Sequence, residues 1–322
     1  MNGDDLMPDI STMIRDTARK LLEEKKVDLV IGFEKGTLPL RSTPCFIRNS
    51  KEAEKLVWNA SCENNLARYL RKRQEKIGIV AKGCDVRSIV ELIKEKQLTR
   101  EQVFIIGIPC NGMVDRKKID LKLNGREILE AEEKDATLIL KGYNFTETLD
   151  KEEFLHDSCR TCKYRNPVIY DVLIGNKVAE NEGTDEYEEI RQFEAKSADE
   201  RWQFFTEEFS QCIRCYACRN ACPLCYCQEC FVDNSQPQWI GKTTNLSDTL
   251  IFHVVRALHA AGRCVDCGAC DRACPMGIDI RKLTRKVQMD VKQLFHYEAG
   301  ISVDDIPPLA TFNLDDPQEF IK

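Results

Sequence analysis

Two stretches repeat one spacing. Cys212-Ile-Arg-Cys215-Tyr-Ala-Cys218-Arg-Asn-Ala-Cys222-Pro223 and Cys264-Val-Asp-Cys267-Gly-Ala-Cys270-Asp-Arg-Ala-Cys274-Pro275 both read C-x2-C-x2-C-x3-C-P. Thiolates are soft ligands, suited to iron–sulfur clusters and zinc. Three of them, each three positions after the last, wrap one 4Fe–4S cube, and the proline after the fourth turns the chain so that this cysteine points elsewhere. A lone C-x2-C leaves zinc open. Two complete runs in one chain make disulfides and zinc the weaker alternatives.

In two-cluster bacterial ferredoxins the fourth cysteine of each run ligates the other cluster. The same arrangement here pairs Cys212, Cys215 and Cys218 with Cys274 as cluster 1, and Cys264, Cys267 and Cys270 with Cys222 as cluster 2. The insert between Cys222 and Cys264 is too long for a compact β-type ferredoxin and contains a helical stretch, Ser247 to Ala261. It resembles the helical ferredoxin domain of respiratory iron–sulfur subunits and heterodisulfide reductase-like proteins.

Nine cysteines lie outside the two runs. Cys159 and Cys162 form a C-x2-C, which alone fits zinc, a redox dithiol or half a cluster site. Two apolar stretches, Lys76–Gly83 and Val103–Pro109, read as strands leading into Cys84 and Cys110, with a helix from Val86 to Lys96 between them. Strand, helix, strand is a parallel βαβ pattern. Ligands in such sheets sit beyond the carboxyl ends of the strands. Cys84, Cys110, Cys159 and Cys162 are therefore a third four-thiolate candidate, cluster 3. The dense run after Cys222 leaves Cys225, Cys227 and Cys230. These form a candidate fourth site with Cys62; the alternative is that some of the five remaining cysteines, Cys45 included, are buried thiols.

The elements that must position these groups divide the chain. Residues 12 to 26 have helical periodicity and 27 to 32 read as a strand; Lys51 to Leu70 reads as helix. Asn176 to Glu200 is strongly acidic, holding Glu180, Glu182, Asp185, Glu186, Glu188 and Glu189, and reads as a solvated connector. A helix is expected from Ile280 to Tyr297. The expected fold is an α/β N-terminal domain, a small parallel sheet with helices, followed by a mainly α-helical dicluster ferredoxin domain. The boundaries are 1–178, a connector at 179–200, 201–300, and an extended C-terminal arm at 301–322 with Pro307, Pro308 and Pro317.

The N-terminal half resembles the beta subunits of coenzyme F420 (deazaflavin) hydrogenases and the related formate dehydrogenases. The matching stretches are Lys76 to Ile89 with Cys84, Gly107-Ile108-Pro109-Cys110, Cys159-Arg160-Thr161-Cys162 and Asp171-Val172-Leu173-Ile174-Gly175. The resemblance implies one 4Fe–4S cluster on Cys84, Cys110, Cys159 and Cys162, beside a flavin. One stretch departs from the pattern. Flavin-binding members open with glycines before the first helix, whereas this chain has Ile10-Ser11-Thr12-Met13-Ile14. Glycine lets backbone approach a cofactor closely, so FAD belongs to the alternative reading.

Composition excludes other classes. The net charge is −6 with no basic tract, against nucleic-acid binding, which needs clustered Lys and Arg. No apolar run is long enough for a membrane span, and the acidic opening Met1-Asn2-Gly3-Asp4-Asp5 lacks the apolar stretch of an export leader. Seventeen cysteines then suggest metal thiolates in a reducing cytoplasm, in an anaerobe. No P-loop, Gly-x-Gly-x-x-Gly or nucleophile–base triad is present. His156, His253, His259 and His296 read as surface or core residues. Arg214, Arg219, Arg263 and Arg272 flank the cysteines and could raise a cluster potential, although a solvated helix face is the simpler reading.

These features indicate an iron–sulfur electron-transfer subunit of an anaerobic oxidoreductase complex (hydrogenase, formate dehydrogenase or heterodisulfide reductase type) with three 4Fe–4S clusters and other subunits as partners. The alternative is a flavin-dependent reductase subunit, with FAD beside the N-terminal cluster and its own deazaflavin or similar substrate.

Overall fold

The computed structural model describes residues 9–181, 185–311 and 314–315. The acidic opening, Glu182 and Pro317 lie outside the described residues. The chain divides into two compact units, Met1–Val86 with Leu98–Glu182, and Arg87–Gln97 with Gly183–Lys322.

The first unit opens with α1 (Ile10–Glu23), whose Ile14, Ala18 and Leu21 recur at helical spacing and are buried. Next come β1 (Leu29–Lys35), β2 (Ser42–Ile47), β3 (Ile77–Ala81), α2 (Gly83–Lys94), whose residues from Arg87 on belong to the second unit, and β4 (Val103–Gly107). Then follow α3 (Arg116–Lys122), the meander β5 (Glu130–Lys134), β6 (Thr137–Gly142) and β7 (Phe145–Asp150), the single turn α4 (Asp157–Arg160) and β8 (Val172–Leu173). The main sheet has the order β2-β1-β3-β4-β8. β1, β3, β4 and β8 run parallel, and β2 is an antiparallel edge. Every residue of β3 is buried, as expected of a parallel strand covered on both faces.

The parallel βαβ unit and the helices around it agree with the sequence reading. Three features differ. The stretch 51–70 is not one helix but two short 3-10 turns, Ser50–Lys55 and Leu66–Tyr69, joined by irregular chain. Asparagine side chains explain the breaks. Asn49, Asn59 and Asn65 each accept a hydrogen bond from the backbone N–H two residues on, a local turn that competes with helix. The chain between then lies along β1, where Val57 N donates to Phe33 O. The edge strand β2 has no clear signal in the sequence because Pro44 interrupts it, which a sheet edge tolerates. The meander β5–β7 is also absent from the sequence reading, although Leu138 and Leu140 alternate inward.

The second unit contains α5 (Glu188–Glu194), α6 (Ala198–Ser210), α7 (Ala217–Ala221), α8 (Leu246–His259), α9 (Ala269–Ala273) and α10 (Ile280–Phe295). The acidic stretch is thus partly helical, with Ile190 buried. Ser197 and Glu200 form a reciprocal capping box that starts α6. α8 packs on α6 and α10, and α7 on α9. Phe209, Val232, Phe252, Ile278 and Ile280 build a core that includes Cys212, Cys218 and Cys274. Among the described residues, no helix is long and apolar enough to cross a membrane.

Candidate metal centres

The two cysteine runs share a backbone as well as a spacing. In each, the third and fifth residues adopt positive φ: Arg214 (53°) and Tyr216 (58°), Asp266 (53°) and Gly268 (70°). Only glycine does this freely; for the other three, left-handed backbone costs on the order of 1 kcal/mol each. Such strain collects at functional sites. The two left-handed residues curl each run around its first three thiols. A short helix follows, α7 or α9, and then the fourth cysteine in extended conformation before proline.

Cys212, Cys215, Cys218 and Cys274 line one small cavity, with Tyr216, Phe252 and Ile278 among its walls. Three thiols of the first run thus meet the last thiol of the second. Burial, then Arg256, Cys212 and Cys274, are among the influences on the Cys218 thiol, whose pKa is raised. In the second run, burial pushes Cys264 up to about 12, and Cys222 and Cys267 are among the groups that add to the rise. Cys270 is likewise raised by burial first, with Asp271, Cys264 and Cys222 adding to it. Asp266 is fixed by Arg281 and Arg285 of α10 at 2.6–2.8 Å, tying the second run to that helix.

The third set is assembled by backbone. Gly83, just before Cys84, lies so close to the chain after Cys162 that a Cβ there would collide with the Tyr164 carbonyl oxygen. Cys110 N donates to Arg165 O at 3.0 Å. Gly112 N donates to Cys110 Sγ, and Met113 N to Cys159 Sγ, both at 3.4 Å. Burial raises the Cys110 thiol to about 12, with Cys159 the next cause. Beneath lies the wholly buried pair Lys82–Asp85, 3.0 Å apart. Lys82 Nζ also donates to Asn64 O at 2.6 Å. Burial opposes the Lys82 charge, but Asp85, Cys84 and Cys110 outweigh it and hold the ammonium above its usual pKa.

Among the described residues, no three His, Cys, Asp or Glu side chains are gathered as a site for a single metal ion. The donor chemistry is nonetheless that of an iron–sulfur protein: thiols of the first set line one cavity, and backbone N–H groups of the third set are directed at sulfur.

Residues 208–278 match the model of a 4Fe-4S dicluster domain. Residues 74–188 match the model for the C terminus of the coenzyme F420 hydrogenase/dehydrogenase beta subunit. The chain carries both domains. The F420-dependent formate dehydrogenase subunit beta of Methanocaldococcus jannaschii is 27% identical, over 92% of each chain. The F420-dependent formate dehydrogenase 1 subunit beta of Methanococcus maripaludis is 25% identical, over 89% of this chain and 90% of its own. A chain of the F420-reducing [NiFe] hydrogenase complex from Methanosarcina barkeri aligns with 48% of this chain and 58% of its own length, at 14% identity and a TM-score of 0.35.

The dicluster domain spans all eight cysteines of the two runs, and the beta-subunit domain spans Cys84, Cys110, Cys159 and Cys162. Cys62 lies in the first unit and Cys225, Cys227 and Cys230 in the second. Cys62 is fully buried, its thiol directed at Val57 O and Asn59 Oδ1 at 3.9 and 3.8 Å. Burial raises it to about 11, and Cys45 on β2 to about 12. Cys225 is lowered to about 7, mainly by its hydrogen bond with Cys222, and Arg219 bonds Cys230.

Two residues beside the thiols do not stand out in the sequence. His253 stacks on Phe209 and brings Nε2 to 3.4 Å from Cys212 Sγ. Burial, then Arg256 and Arg214, lower its pKa to about 4. Arg256, one turn on, donates to Cys218 O at 3.2 Å. Their signal is present all the same: on α8 both share the buried face of Thr249, Phe252 and Ala257. Of the four arginines flanking the runs, Arg214 bonds Gly241, Thr243 and Asp248 carbonyls, Arg219 pairs with Asp233, Arg263 with Glu95, and Arg272 bonds Cys267 O.

The first unit also holds a cavity of about 890 Å³. It opens beyond the carboxyl ends of β1 and β4, and residues of β5 and β6 line it. Lys35, Arg41, Trp58, Cys110 and Gly112 stand in its wall. The stretch that lacks glycines is the first turn of α1, and Asp9 and Ile10 border this cavity.

Proposed function

We propose that this chain is an iron–sulfur electron-transfer subunit of an F420-linked oxidoreductase complex of the formate dehydrogenase or hydrogenase type, relaying electrons between a partner's redox centre and an acceptor in the cytoplasm. Three 4Fe–4S clusters would be held by Cys212, Cys215, Cys218 and Cys274, by Cys264, Cys267, Cys270 and Cys222, and by Cys84, Cys110, Cys159 and Cys162. Such clusters supply one-electron transfer. The chain's own part is to place the thiols, exclude water and set the local charge. Phe209, Phe252 and Ile278 shield the first set, and the Gly112 and Met113 N–H groups donate to sulfurs of the third.

The observation that carries this reading is the cavity where three thiols of one run meet the fourth of the other. Anaerobic reconstitution of the isolated chain tests it. About twelve irons and matching sulfide per chain are expected, from three four-iron clusters. A stoichiometry near eight would remove the third cluster, and zinc in place of iron would remove the whole reading.

A second reading is favoured by the large cavity, whose volume falls in the range of small-molecule sites, about 300–1,000 Å³. Cys110 in its wall would bring a flavin there next to the third cluster, making the chain a flavin-dependent reductase subunit. Stoichiometric flavin released on denaturing the purified chain would establish it.

A further inference from the structure

We propose that Arg256 is a shared potential-setting residue, whose buried guanidinium raises the reduction potentials of both clusters of the dicluster domain. The inference rests on the cluster assignment above and goes beyond it.

Arg256 is 6% exposed, on the inward face of α8. A guanidinium is not buried cheaply; it needs partners or counter-charge. Its protein partners are few. Nη2 donates to Cys218 O at 3.2 Å, while the buried Nε has no hydrogen-bond partner. The largest influences that favour its charge are cysteines, not carboxylates. Burial opposes that charge, and the thiols of Cys270, Cys222, Cys225 and Cys218 outweigh burial. Cys218 belongs to the first proposed set; Cys222 and Cys270 belong to the second. Geometry agrees: Arg256 bonds α7, which holds Cys218, ends at Cys222 and packs on α9 with Cys270, so one cation lies beside both sets.

Each cluster becomes more negative by one charge on reduction. A fixed cation in a low-dielectric surround stabilises the reduced form more than the oxidised form, and so raises the potential. The charge is permanent, since arginine stays protonated in proteins. His253 differs: it bonds Cys212 and lines the cavity of the first set.

The test is an EPR-monitored redox titration of the full chain, comparing the parent with Arg256→Lys, Arg256→Gln and Arg256→Met. Both dicluster signals are expected to fall in midpoint potential in the Gln and Met variants, by about tenfold in each one-electron reduction equilibrium, or about 59 mV. Arg256→Lys, which keeps the charge, is expected to lie nearer the parent. Because EPR reads only loaded molecules, partial cluster loss does not obscure the midpoints. Unchanged midpoints would overturn the proposal, and so would movement of one cluster alone. Complete loss of either cluster in the Gln and Met variants, with retention in Lys, would instead make Arg256 a structural support for α7, and also overturns it. Failure of the underlying assignment is seen separately, as a parent protein without two such signals.

Discussion

Gly83 shows how much one missing methyl group can decide. The residue touches no metal, yet its lack of a side chain lets the start of α2 lie against the chain after Cys162. The obstacle a Cβ would meet is a carbonyl oxygen of the backbone, which cannot swing aside as a side chain can. Gly83→Ala is therefore expected to separate Cys84 from Cys162 and to lower iron from about twelve to about eight per chain, the loss of one four-iron cluster. The signals of the dicluster domain should persist. Full iron in this variant would show that the third set does not depend on that approach. The spacing of the cysteines is local and so was visible in the sequence. The role of Gly83 was not, since Tyr164 lies far along the chain. Lys82 was silent for a related reason: its partner Asp85 is close in sequence, but only the fold shows that both are buried.

At the level of elements, α7 and α9 form a duplicated pair. Each follows a run with left-handed residues at the same two places, and only Gly268 announces that conformation in the sequence. Arg214, Tyr216 and Asp266 are held there by their surroundings: Arg214 by three carbonyls, Tyr216 by Phe252 and two arginines, and Asp266 by α10. The cross-supply of fourth ligands is testable at this scale. The Cys222 thiol is among the groups that bear on Cys264 and Cys270. Cys222→Ser should therefore alter the EPR spectrum of the cluster on the second run. A change confined to the cluster on Cys212–Cys218 would reverse the pairing. Helices with a strong apolar stripe, α1, α8 and α10, were readable within a few residues. The stretch 51–70 was not, because its helical spacing is overruled by asparagine turns and by contact with β1.

For the whole molecule, the pertinent fact is what the thiols are not joined to. The sequence holds no recognisable substrate motif beside them, and two similar chains are named as beta subunits of F420-dependent formate dehydrogenases. A fully loaded chain on its own is expected to show no turnover with hydrogen, formate, NADH or reduced deazaflavin against artificial acceptors. Robust activity of the lone chain with any of them would favour the flavin-reductase reading. Only the contrast in composition between acidic and cysteine-rich stretches was accessible from sequence. The inclusion of Arg87–Gln97 in the second unit was not, since it depends on bonds such as Arg87 to Ala299 O and Glu91 to Gly300 N.

The exchange of last ligands between the two runs also has a consequence in time. A ribosome makes the first three thiols of cluster 1 long before Cys274, and Cys222 long before its partners on the second run. Under the proposed pairing, neither four-thiolate site is complete while the chain is still growing through α8. Iron delivered at that stage would meet only partial sets, open to exchange and to oxygen. Under that pairing, insertion into either complete site waits until the second run has been made.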